Sequence, residues 1–471
     1  MSFDPRSRAV VRIDPEVRRH GQLLVGGSPS TVVRLTPRAF QLIRDDTIVV
    51  DSPAAALLAD RLVAANLAHP VLMSLPELSA EQLTIVIPVK DREAELRRLL
   101  SRLGTKARVI VVDDGSSDRG SIAAAGREHG AHVIRLDVNQ GPAAARNAGL
   151  AEVDTPFVAF VDSDVTIDTD GLLTASRHFA DPGVAVVGPR VRGEVTTAGS
   201  WFQRYEQHAS SLDLRELPTT VRPFARVSWL PSACLLARVS ALEEGFDETM
   251  RVGEDVDLIW RVLGAGHRVV YEPAVEATHD ARPRLRSWFT RKAFYGTGGA
   301  DLHRRHGDLV APAVLPPLPT LAVLAVIAHR RWSLPVAVGF VGASAGLIGR
   351  ELPQVESRRA LAVRLACSAT VSSAWQLVAM ALRHHWPVTV LLCLASPRIR
   401  RAVALAAVVD GLVDRRARGS RLGPIAHTTA RRVDDVAYGT GLWWGAIRRR
   451  EGGVLRPRVS GLRSPRRRAR R

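Results

Sequence analysis

Two short runs of acids carry the chemistry open to this sequence. Val112-Asp113-Asp114-Gly115-Ser116 and Phe160-Val161-Asp162-Ser163-Asp164 each begin as an apolar, β-branched stretch and stop at carboxylates. Both read as buried strands with acids where the chain leaves the sheet. In open α/β sheets ligands bind beyond the carboxyl ends of the strands, so the two clusters should face one crevice. Asp162 and Asp164, one residue apart, suit a hard divalent cation (Mn²⁺ or Mg²⁺) that shares its oxygen ligands with phosphate. A nucleotide with a metal is the chemistry in outline. A carboxylate at a strand end, Asp113 or Asp114, can accept the imide N–H of uracil, and the Gly115-Ser116 turn leaves backbone donors near phosphate. Pro88-Val89-Lys90-Asp91 ends the preceding strand on the same side.

The elements that must position these residues are legible from residues 81–300. Leu83–Val89 is an apolar run of strand length. Leu96, Leu99, Leu100 and Leu103 then recur at helical spacing. Strand Ala107–Val112, helix Ser121–His129, strand His132–Leu136, helix Pro142–Ala151 and strand Pro156–Val161 follow. Such alternation predicts an α/β domain with a parallel, doubly wound sheet. No GxGxxG follows the first strand and no GxxxxGK[ST] occurs, which excludes a dinucleotide-binding Rossmann domain and a P-loop NTPase. In Gly141-Pro142-Ala143-Ala144-Ala145-Arg146-Asn147, small residues let a helix lie close to the sheet, and Arg146 can reach the nucleotide. Farther on, Val256, Ile259, Trp260 and Leu263 share one helical face, with Gly264 as a C-cap. Glu254 and Asp255 open that helix, where its dipole favours carboxylate. By residue type alone they read as capping acids.

Taken in order, Ile87-Pro88-Val89, Val112–Ser116, Gly141–Gly149, Asp162-Ser163-Asp164, Gly245-Phe246-Asp247-Glu248 and Gly253–Leu258 resemble the GT-A domain of family 2 inverting glycosyltransferases. The resemblance covers about half the chain. It implies a nucleotide-diphospho-sugar donor contacted by Pro88, Val89, Asp91, Asp113, Asp114, Arg146, Asp162 and Ser163. It implies a metal held by Asp162 and Asp164, with His279 as a further ligand or simply a surface histidine. Asp255 is then the general base toward the acceptor hydroxyl and Glu254 its support. Trp229 and Ser232 fall on the acceptor side, where Trp229 either stacks on a sugar or belongs to the core. No QxxRW follows the base, which disfavours extrusion of a long polymer.

The flanking regions differ in character. Residues 1–80 hold short β-type runs (Ala9–Ile13, Gln22–Val25, Thr31–Leu35) around Gly26-Gly27. A helix opens at Thr36-Pro37, a second apolar helix covers Ala54–Leu67, and Pro70 precedes an extended Val71-Leu72. This is a winged-helix pattern. DNA binding is not expected, because the Ala54–Leu67 helix carries Arg61 as its one base. Val10-Val11-Arg12-Ile13 and Leu35-Thr36-Pro37-Arg38-Ala39 resemble the small (PqqD-like) peptide-recognition domains of modified-peptide cofactor pathways. Joined to a family 2 domain, they make the chain similar to the glycosyltransferases of mycofactocin systems in actinobacteria. That resemblance implies transfer of glucose from UDP-glucose, in β-1,4 linkage, onto a redox cofactor built from a ribosomal peptide. Two other readings stay open: an envelope glycosyltransferase with a lipid-linked or polysaccharide acceptor, and a non-catalytic peptide-binding scaffold.

Residues 301–460 alternate uncharged stretches (Leu309–Ala328, Ser333–Gly349, Leu365–Leu382, Trp386–Pro397) with arginine and histidine clusters, as suits helices held at an anionic membrane surface. Residues 461–471 form a basic tail expected to be disordered. The formal net charge of +18, from 65 Lys and Arg against 47 Asp and Glu, fits such a surface. A cell-membrane location is expected, with the catalytic domain facing the cytoplasm. Cys234, Cys367 and Cys393 make no ligand pattern and fit a reducing compartment. The N-terminus lacks the apolar core of a cleaved signal peptide.

Overall fold

The computed structural model describes residues 8–194, 199–280, 284–354 and 357–460. The extreme N-terminus and the basic 461–471 tail lie outside these residues. The chain divides into two compact units, Met1–Arg282 and Pro283–Arg471. The helix Leu285–His306, which a boundary at residue 300 would cut, lies wholly in the second.

The first unit opens with β1 (Val10–Ile13), β2 (Arg18–His20), β3 (Leu23–Gly26), β4 (Thr31–Arg34), α1 (Pro37–Gln41), β5 (Thr47–Val49), α2 (Pro53–Ala64) and β6 (Ala68–Pro70). Thr36 caps α1 as its sequence suggests, with its side chain accepting from the Ala39 N–H. The closing strand is Ala68–Pro70 rather than Val71-Leu72, because α2 stops at Ala64 and Asn66 turns the chain with a positive φ of 54°. Two three-stranded sheets, β5-β1-β6 and β2-β3-β4, close over a core including Val11, Leu24, Ile48, Ala59 and Leu62.

The α/β part continues with β7 (Leu83–Val89), α3 (Glu93–Leu103), β8 (Arg108–Asp114), α4 (Ser121–Glu128), β9 (His132–Leu136), α5 (Pro142–Ala151), β10 (Phe157–Val161), β11 (Val165–Thr166), α6 (Thr169–Ser176), β12 (Val184–Gly193), α7 (Trp201–Ala209), β13 (Thr219–Thr220), β14 (Cys234–Arg238), α8 (Glu254–Gly264) and β15 (Arg268–His279). The sheet runs β11-β15-β12-β14-β10-β7-β8-β9, with β13 on β15. It is GT-A in form and mixed, not wholly parallel. Strands β10, β7, β8 and β9 are parallel, but β14 lies antiparallel to both β10 and β12. A chain returning from the acid-bearing edge of the sheet can only enter between them in reverse. Helix α5 sits close because Gly149 carries no side chain: a Cβ there would come within 2.3 Å of Val86. The buried residues of α8 are Glu254, Asp257, Leu258, Ile259, Trp260 and Val262; Val256 and Leu263 are only half-buried, so the face turned inward is rotated from the one the apolar spacing suggests. Gly264 ends the helix and Ala265 caps it.

The second unit is helical: α9 (Leu285–His306), a short β16 (Val314–Leu315), α10 (Pro317–Ile327), α11 (Ser333–Glu351), α12 (Arg358–Ala379, continued by a π-helical turn to His384), α13 (Trp386–Ala395), α14 (Pro397–Ala417), α15 (Pro424–Arg449) and β17 (Arg458–Val459). Buried ion pairs tie it together: Lys292 of α9 and Arg383 both reach Asp434 of α15, at 3.4 and 3.1 Å. By length and composition, Ser333–Glu351 and Arg358–His384 are long and apolar enough to cross a membrane, and only 22% and 17% of an apolar 18-residue stretch in each is buried within the protein.

Candidate active site

The acid at the end of β10 is brought together with the start of α8 through Arg146. Asp162 leaves β10 beside β14, its N–H donating to the Ala233 carbonyl at 2.9 Å. Three residues on, β11 pairs with the end of β15 (Val165 against His279), which sets His279 Nε2 3.9 Å from Asp164. Asp164 is also ion-paired with Arg92. Ser163 is buried between the two acids.

Beneath Asp162 lies Arg146, which is buried. Its guanidinium donates to Asp162 at 2.6 Å and to Glu254 at 3.3 Å, and it stands over the Phe246 ring. Burial alone would lower its pKa; the facing carboxylates of Asp162 and Glu254 outweigh that and raise it. Arg146 is therefore a permanent buried cation joining the end of β10 to the start of α8.

Asp255 begins α8 next to Glu254. Its carboxylate accepts from the Val256 N–H at 2.8 Å and faces the Ser232 N–H at 3.4 Å. Burial, with the neighbouring Glu254 charge second, pushes its pKa up to about 7. A carboxylate so raised holds and releases protons near neutrality, as a general base must. Ser232 is buried, while Trp229 is half-exposed in the same segment.

The carboxylates of β8 are engaged in building the loops. Asp113 is ion-paired with Arg135 and accepts from the Ser116 N–H at 2.9 Å. Asp114 accepts from the N–H groups of Gln140 and Gly141, at 2.7 and 2.9 Å, and so fixes the turn into α5. Asp91, in the left-handed region, accepts from the Ser117 N–H at 2.7 Å, a bond that lowers its pKa. Gly115 at φ 68° is obligatory, since a Cβ would meet the backbone of Val138 and Asn139 within 3 Å. Pro88 and Val89 end β7 against Val112 and Asp113.

Several residues at the site carry no signal that spacing could reveal. Arg92 and Arg135 belong to different elements from the acids they neutralise. Asn147, inside the Ala-Arg-Asn motif, bonds the Phe246 carbonyl and N–H, both at 2.8 Å, and so anchors the turn that leads to α8.

Residues 84–246 match the family model described as glycosyl transferase family 2. The chain is 42% identical over 469 residues to pre-mycofactocin glycosyltransferase of Mycobacterium tuberculosis, spanning 95% of this chain and 97% of that protein. The chain belongs to the pre-mycofactocin glycosyltransferase family. This glycosyltransferase is 26% identical over 216 residues to poly-β-1,6-N-acetyl-D-glucosamine synthase of Staphylococcus aureus, a match confined to 45% of the chain. Among solved structures, a mannosyltransferase from Pyrobaculum calidifontis in complex with GDP-Man and Mn²⁺ aligns at 19% identity and a TM-score of 0.37. That alignment covers 65% of this chain and 89% of the mannosyltransferase.

Proposed function

We propose that this glycosyltransferase moves glucose from UDP-glucose onto mycofactocin or its precursor, a peptide-derived redox cofactor, and builds a β-1,4-linked chain with inversion at each transfer. The observation that carries the chemistry is Asp255, held at the start of α8 by the Ser232 N–H and raised to about 7. Asp255 takes the proton from the acceptor hydroxyl, whose oxygen then attacks the anomeric carbon from the face opposite the leaving diphosphate. Glu254 and Arg146 keep it in place. Trp229 and Ser232 flank the acceptor. Pro88, Val89, Asp91, Asp113, Asp114, Arg146, Asp162 and Ser163 line the donor side. The acceptor is proposed on the near full-length similarity to the mycobacterial protein.

Among the described residues no three His, Cys, Asp or Glu side chains converge closely enough to hold an ion alone. Asp162, Asp164 and His279 would hold Mn²⁺ or Mg²⁺ as a shared site, with the donor's diphosphate supplying further oxygen ligands. A cation there would supply charge against the leaving diphosphate. Residues 1–80 serve peptide recognition, the α/β part from residue 81 to the end of the first unit serves catalysis, and the helical second unit attaches the protein to the cytoplasmic face of the cell membrane. The exposed apolar faces of α11 and α12 support that attachment.

The test is direct. Full-length protein, UDP-glucose, Mn²⁺ and the peptide-derived acceptor should yield products heavier by successive hexoses, with β-anomeric signals by NMR. Transfer to a polysaccharide or lipid-linked acceptor instead would favour the envelope reading. Binding of the peptide without any turnover would favour a scaffold.

A further inference from the structure

We infer that Asn66, in the small N-terminal domain, is a positioning residue for the acceptor side of the active site. The inference rests on the proposed role of Asp255 as base. Asn66 follows α2 at a φ of 54°, a conformation asparagine tolerates better than most residues. Its side chain is buried and works like a strand neighbour. Asn66 Nδ2 donates to the Thr220 carbonyl at 2.9 Å, and Asn66 Oδ1 accepts from the Thr220 N–H at 2.6 Å. The same Nδ2 donates to the Ser28 carbonyl at 2.7 Å, so one amide binds a turn of its own domain to β13. The Thr220 hydroxyl returns a bond to the Val63 carbonyl at 3.2 Å.

The segment that leaves Thr220 runs to the base. Val221 bonds the Val269 carbonyl, and the Arg226 N–H donates to Ser28 Oγ at 2.5 Å while its guanidinium pairs with Glu16. Val227 and Leu230 are buried, and the Ser228 carbonyl accepts from Trp260 Nε1 of α8 at 2.7 Å. The segment ends at Ser232, whose N–H faces Asp255, and Ala233, whose carbonyl holds Asp162. Residues 219–233 thus form a continuous band, fastened at one end to the N-terminal domain and at the other to the base and the donor-side acid. A cavity of about 200 Å³ lies beside these bonds, among Val63, His69, Pro218, Thr220 and Arg268, and elsewhere Arg268 pairs with Asp60 at 3.0 Å and Leu72 packs into the α/β core. The Asn66 amide makes two of the polar bonds that fasten this segment to the N-terminal domain and ties them to the Ser28 turn with its third. The N-terminal domain therefore shapes the acceptor wall as well as standing beside it.

The test uses the full chain with Asn66→Gly, which keeps the backbone conformation and removes the amide, and Asn66→Asp, which keeps the acceptor oxygen. Hydrogen–deuterium exchange across 219–233 should quicken in Asn66→Gly, with β7 and β8 unchanged. Acceptor kcat/KM should fall by about fivefold or more, since small misplacement of reacting groups is costly, while UDP affinity stays within about twofold. Asn66→Asp should fall between. Should Asn66→Gly not fold, Arg226→Gln cuts the exposed second anchor and should quicken exchange in the same segment. Unchanged exchange across 219–233 in the folded variant, or equal losses of UDP affinity and acceptor turnover, would overturn the inference. Exchange needs no substrate, so a wrong acceptor assignment would leave that result standing.

Discussion

Arg146 and Asp162 meet at 2.6 Å in the floor of the active site, and the same guanidinium reaches Glu254 at 3.3 Å. A single buried cation therefore sets Asp162 and the start of α8 relative to each other. Because its charge is raised in stability by both acids, neither carboxylate can be left alone without cost.

Replacing Arg146 exposes that dependence. Arg146→Ala leaves the buried Glu254 and the half-buried Asp162 without their cation and should destabilise the first unit by about 3 kcal/mol, the lower end of the range for breaking a buried ion pair. Arg146→Lys keeps the charge but lacks the planar fork needed to reach both partners, so it should fold and lose most transfer. Thermal melts and acceptor turnover measure the two effects. A fully active Arg146→Lys would make the bridge dispensable.

Asp255→Asn should abolish transfer while leaving UDP binding by calorimetry within about twofold, because only the proton acceptor is removed. Most of the wild-type turnover surviving in this variant would move the base elsewhere.

The same aspartate predicts how pH acts. Its folded pKa of about 7 lies above its ordinary value near 4, so between these limits the folded protein holds a proton that the unfolded chain has released. Stability contributed at this site is present at low pH and declines as pH rises toward 7. Asp255→Asn, always neutral, should therefore melt higher than wild type at pH 8, by on the order of 1 kcal/mol, with the gap closing near pH 4. Transfer by the wild type should run the other way, falling as pH drops below about 7. A variant no more stable at pH 8 than at pH 4, relative to wild type, would contradict the raised carboxyl.

Asp164→Ala should weaken Mn²⁺-dependent UDP binding about tenfold or more and leave metal-free binding little changed, since a hard cation loses one carboxylate. Equal Mn²⁺-dependent affinity in variant and wild type would remove Asp164 from the metal site.

Leu334 and Val338 of α11 are each 70% exposed. Full-length protein should float with vesicles containing anionic lipid and resist release by salt, because apolar contact, unlike charge attraction, is not screened. Replacing both residues by glutamate should shift the protein toward the soluble fraction. Complete release of the wild type by salt would reduce the attachment to surface charge.

The sequence by itself determined the parts that depend on local pattern. Apolar runs ending in Asp113-Asp114 and Asp162-x-Asp164, the leucines of α3, the small residues of α5 and the acids opening α8 all lie where their periodicity and types put them. Such features are read from neighbours along the chain. Tertiary structure decided which residues meet across the fold: Arg146 between Asp162 and Glu254, Arg92 on Asp164, Arg135 on Asp113, and Asn66 on Thr220. It also decided that β14 runs against its neighbours and that the inward face of α8 includes Asp257. Hydrophobic periodicity says which side of an element is buried. It carries no information about which distant charge will neutralise a buried acid, because that pairing exists only once the sheet has brought separate loops to one edge.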